Sequence, residues 1–201
     1  MKKNKILISI VCIPLILLSS CASYQASSLN NISSEILVTP STTNQVLATA
    51  KAFTKADCKR YLDRDVIAKG YQPVQIYIQN NSDRTYNFSL DRISLSQARP
   101  DEVANQVHTS TVGRAVGYGV GALFLWPLAI PAIVDGIKSS EANASLDSDF
   151  AAKVARNQTI AQHSHLNKII FVPVSEYQQN FTITLIDQAS NNPKVLNVTA
   201  D

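Results

Sequence analysis

The chain has 201 residues, with 18 Lys and Arg against 15 Asp and Glu, and three cysteines. Lys2, Lys3 and Lys5 supply three of the basic residues, and beyond residue 20 the count is 15 against 15. The basic pI of about 8.7 therefore belongs to the first twenty residues, and the rest shows no overall excess of positive charge for a nucleic acid or an acidic substrate.

After the lysines, Ile6 to Leu18 is apolar, broken only by Ser9 and Pro14. At ~1.5 Å per residue this run reaches roughly 20 Å, short of the ~30 Å hydrocarbon core, so it reads as an export signal rather than a spanning anchor. Leu18-Ser19-Ser20-Cys21 follows: an aliphatic residue, two small ones, then cysteine. The segment resembles the lipobox of bacterial prolipoproteins. That resemblance implies cleavage between Ser20 and Cys21, a diacylglyceryl group on the Cys21 thiol and an acyl group on its amine. It also implies a membrane partner held through lipid, since two or more chains anchor stably where one does not. Ala22, in place of the aspartate that retains such proteins in the inner membrane, favours the outer membrane, with the domain facing the periplasm or the cell surface. Cys12 leaves with the signal, so Cys58 is the one remaining thiol; no internal disulfide can form and burial is its expected fate.

The expected organisation is a signal at 1–20, a lipidated N-terminus and flexible tether at 21–45, and one β-sandwich domain at 46–201 with a helical insertion at about 101–156. Residues 22–34 are small and polar, which suits a tether. Glu35 to Thr39 is a candidate strand stopped by Pro40. Val46 to Phe53 fits a strand or the start of a helix, and Thr54 with Asp57 fits a capping pair for a helix to about Asp63. Tyr71 to Gln79 is the clearest strand: Val74, Ile76 and Ile78 alternate with Gln75, Tyr77 and Gln79. Asn80-Asn81-Ser82-Asp83 supplies turn chemistry. Tyr86, Phe88 and Leu90 mark a next strand, and Ile93 to Leu95 extends the sheet. Lys168 to Val174, Asn180 to Asp187 and Lys194 to Val198 complete an antiparallel sandwich. The stretch from Tyr71-Gln72-Pro73-Val74 to Asn80-Asn81-Ser82 looks like the immunoglobulin-like domains of several envelope lipoproteins, which implies that fold.

Between the strand groups, Ala115 to Val134 carries no charge. Gly113, Gly117 and Gly121 recur every four residues and would form a close-packing stripe on a helix. Pro127 and Pro131 each remove a backbone donor, so the expectation is one helix to about Trp126, a bend, and a second piece to about Ser140. Asp149 to Arg156 adds a short amphipathic turn or helix. Three readings of this hairpin stay open: part of the domain core, a membrane-contacting element, or a contact with another envelope protein or a second copy. Gly113, Gly117, Gly121 and Trp126 carry the last two.

Chemistry is sparse. His163 and His165 share one face of a strand but lack companions for a metal shell, and His108 stands in a polar stretch. Asp63 and Asp65 around Arg64 read as a solvated capping cluster. No nucleophile turn or phosphate loop occurs, and no cofactor is expected beyond the lipid on Cys21. The expectation is a non-enzymatic envelope lipoprotein acting as a binding or structural module. The alternative is a lipid-contacting or membrane-perturbing protein using the 113–140 hairpin.

Overall fold

A computed structural model describes residues 23–30, 45–108 and 129–201, with 129–138 given by backbone alone. The chain divides into two compact units, Met1–Tyr24 with Thr109–Ser145, and Gln25–His108 with Leu146–Asp201. In the first, the described secondary structure is the part of a long helix up to Ser145.

The second unit is mostly antiparallel β. Strands β1 (Val46–Ala52), β2 (Tyr71–Asn80) and β5 (Ser164–Pro173) form one sheet in the order β1-β2-β5. Strands β3 (Tyr86–Phe88), β4 (Gln158–Ile160), β6 (Asn180–Asp187) and β7 (Pro193–Thr199) form the other, in the order β4-β3-β6-β7. Val74, Ile76 and Ile78 of β2 and Phe181, Ile183 and Leu185 of β6 meet in one core, joined by Tyr86, Phe88, Ile170 and Val172. Period-2 alternation thus aims the apolar residues of both sheets inward.

Strand β2 departs from simple alternation, because Gln75 and Tyr77 on its outer face are buried too. Gln75 Nε2 donates to Asn167 Oδ1 (2.7 Å) and to the Asn30 carbonyl (2.6 Å), and Tyr77 stacks on His165 at 5.5 Å. Central placement between β1 and β5 explains this: the flanking strands and residues 25–30 cover what an edge strand would expose.

Among the described residues three helices accompany the sheets: α1 (Lys55–Leu62), α2 (Pro100–Val107) and α3 (Ala129–Lys153). Thr54 and Asp57 form the reciprocal capping box on α1, and Asp63 ends it in the left-handed region at φ 49°. Helix α2 begins on Pro100, where a missing N–H costs nothing. Helix α3 differs from expectation, continuing past Ser140 to Lys153 instead of stopping and restarting at Asp149. Residues 141–153 hold no glycine or proline, and Ala142, Leu146 and Phe150 recur every four positions, all buried. Packing of that stripe outweighs the weak helix propensity of the Ser, Asn and Asp around it. Phe150 stacks on Phe171, on the outer side of β5, at 5.4 Å.

Two smaller differences concern the other sheet. Ile93 to Leu95 forms no strand; Ile93 makes a single bridge to Ile183, while Ile93 and Leu95 fill the core. Strand β4 was not expected from sequence, and it pairs Tyr86 with Ile160 and Phe88 with Gln158.

Candidate functional site

The exposed face of α1 is basic. Cys58, Tyr61 and Leu62 are buried, leaving Lys55, Ala56, Lys59 and Arg60 outward at helical spacing. Lys59 bonds to Asp63 one turn on, and the Arg60 guanidinium lies 5.3 Å from the Tyr61 ring centroid. Residues 25–30, within the expected tether, are tied to this helix and to the sheet beside it. The Gln25 N–H donates to Asp63 Oδ2 (3.0 Å), the Ser27 N–H to the Arg60 carbonyl (2.8 Å), and Asn30 accepts from Gln75. A helix leaves its last carbonyls without partners. Ser27 satisfies that of Arg60, and the Lys153 ammonium, bonded also to Asp149, satisfies that of Tyr61 at 2.7 Å.

Asp63 is therefore not solvated as expected; it is 9% exposed and shared by Gln25, Lys59 and Arg64. Burial opposes its ionisation, but Lys59, the Gln25 N–H and Arg64 outweigh that, and the carboxyl sits below its ordinary value. Asp65 is exposed and accepts the Ala68 N–H at 3.0 Å. Cys58 is free and buried, and burial beside Asp65 pushes its thiol up to about 11, which is the reverse of nucleophile activation.

Two open clefts flank the start of α2. One, of about 400 Å³, has Ile93, Leu95, Val154, Ile170 and Phe171 in its walls, with Arg99 among the polar residues. The other, of about 420 Å³, is lined by Ala104, Phe150 and Ala151 together with Asp147 and Arg156. Some of the polar groups around them are already engaged: Arg99 forks onto Asp101 (2.8 and 3.1 Å), and His108 Nε2 faces Asp147 at 2.7 Å. Both clefts suit an apolar or amphipathic segment better than a charged small molecule.

His163 and His165 do not share a strand face. His163 sits in a turn at φ 51° with Nε2 2.9 Å from Asp83, while His165 lies on β5 against Tyr77. Among the described residues no group of three or more His, Cys, Asp and Glu could hold a metal, and no helix is long and apolar enough to cross a membrane. Ser20, Cys21, Gly113, Gly117, Gly121 and Trp126 lie outside the described residues, as does the candidate strand at Glu35 to Thr39. Sequence reading passed over the Lys55–Lys59–Arg60 face, although the three share one side of the helix that the Thr54–Asp57 pair announces. No known protein family, curated protein or solved structure matches this chain.

Proposed function

We propose that the chain is a lipid-anchored protein of the bacterial envelope, whose two-sheet body is an immunoglobulin-like sandwich. The body serves as a non-enzymatic binding or structural module for another envelope component, and the outer membrane is the favoured site. The observation that carries the reading is the order of residues 1–21: lysines, a short apolar run, then Leu18-Ser19-Ser20-Cys21. The mostly apolar clefts beside α2 support a binding role, because their walls offer shape and apolar contact without a reacting group.

Labelling with a palmitate analogue tests the anchor. Label should enter the wild-type protein and vanish in Cys21→Ser. An intact Met1 terminus, or an unmodified Cys21 thiol, refutes it. Crosslinking of the lipidated protein in cells should then capture one recurrent envelope partner. No capture, with full envelope integrity in a deletion strain, removes the module reading. The uncharged run Ala115 to Val134 favours a second reading, in which this segment contacts acyl chains. Gly117→Leu or Trp126→Ala should then weaken liposome binding of Cys21→Ser protein, and the absence of any such binding eliminates it.

A further inference from the structure

Equal totals of charge conceal a local imbalance. Residues 51–70 hold Lys51, Lys55, Lys59, Arg60, Arg64 and Lys69 against Asp57, Asp63 and Asp65, a net of +3. Since the chain beyond residue 20 carries 15 of each sign, everything else in it sums to −3. Lys51 and Asp57 pair at 2.8 Å, and Asp63 takes both Lys59 and Arg64. Lys55, Arg60 and Lys69 are exposed and pair with no acid among the described residues.

The anchored end of the chain arrives at the same place. Gln25 is fixed to Asp63, the carboxylate that also holds Lys59, and Ser27 is fixed to Arg60. Four peptide links separate Cys21 from Gln25, and at 3.8 Å each they span at most about 15 Å. A lipid on Cys21 thus keeps the C-terminal end of α1 within about two Debye lengths of a bilayer at physiological salt.

We infer that the outward face of α1, formed by Lys55, Lys59 and Arg60, rests on the anionic phosphate headgroups of the leaflet that holds Cys21. The inference depends on the lipid anchor proposed above. Its consequence is orientation: the body has a membrane side and a free side, and the excess negative charge is kept off the headgroups.

The test uses the full lipidated protein in nanodiscs of phosphatidylcholine, with and without phosphatidylglycerol. A water-soluble amine-acylating reagent is applied and each lysine is read by mass spectrometry. Lys194, exposed on β7, is the internal reference. Lys55 and Lys59 should react about threefold or more slowly in the anionic discs, with Lys194 unchanged, and high salt should remove the protection. Lys55→Glu/Arg60→Glu, changed only at exposed positions, should abolish the anionic-lipid protection of Lys59 while leaving the circular dichroism spectrum unaltered. The same digest reports the mass of the N-terminal peptide. Lipid on Cys21 with Lys55 and Lys59 as reactive as Lys194 in every disc overturns the orientation and leaves the anchor standing. An unacylated Cys21 overturns both.

Discussion

Asp63→Asn separates charge from geometry at the point where the N-terminal segment joins the body. Asp63 occupies the left-handed region at φ 49°, which asparagine tolerates, so the backbone need not move. The amide oxygen, standing where Oδ2 was, can still accept the Gln25 N–H and the Arg64 guanidinium, now as a neutral acceptor, while the amide nitrogen faces the Lys59 donor. Hydrogen bonds to a charged group contribute about 1.5–3 kcal/mol and neutral ones about 0.5–1.5, so the segment loses about 1–2 kcal/mol of local stabilisation. The Lys59 contact adds little to this, because its side chain is 76% exposed and well screened. Amide hydrogen exchange is the assay. Protection at Gln25 should fall by a factor of about 5–30 with Ser27 following, while β2 and β6 keep wild-type rates. Unchanged protection at Gln25 in the variant, or no protection there in the wild type, refutes the account of the junction.

Ile183→Ala, at a fully buried position between the two sheets, should lower stability by about 2–5 kcal/mol, read as a shifted urea midpoint at constant slope. Asp187 is held down to about 2 by Arg84 and by the Ala189 and Ser190 N–H groups. Because this folded value lies below the ordinary 3.8, its contribution is complete above about pH 4 and is lost as the pH falls through 2. Acid denaturation of Asp187→Asn should therefore be shallower between those limits; an unchanged acid limb argues against the Arg84 pair. Native Cys58 should resist a thiol reagent until the protein unfolds, since a rise from 9.0 to about 11 cuts its thiolate fraction about a hundredfold. Rapid labelling of the folded protein contradicts that burial.

Local patterns sufficed wherever one element settles its own form. Alternation over Tyr71–Asn80 and Asn180–Asp187 marks strands because one face meets the core, and Thr54 with Asp57 marks the start of α1 because both satisfy backbone donors there. Distant partners hid the rest. Gln75 and Tyr77 look like solvent-facing residues until Asn30, Asn167 and His165 cover them. Strand β4, with two of its three residues exposed, exists through its pairing with β3 and carries no apolar rhythm. The helix expected to end at about Ser140 runs on to Lys153, because the buried stripe Ala142–Leu146–Phe150 carries it past that point. At the candidate site, the basic residues of α1 were visible as letters, but the bonds of Gln25 to Asp63 and of Ser27 to the Arg60 carbonyl cross more than thirty positions and needed the fold.

Asn87 and Thr159 touch across β3 and β4 although 72 positions apart in the chain. Their pairing ties together the two ends of the chain between Phe88 and Gln158. Closing a flexible loop costs only about 0.6 kcal/mol more for each doubling of its length. Lengthening or rewriting the part between α2 and α3 therefore leaves the register below nearly undisturbed. The sheets can stay constant as a chassis while selection rewrites the sequence between them, and differences between descendants of this protein should gather in the stretch from 109 to 128.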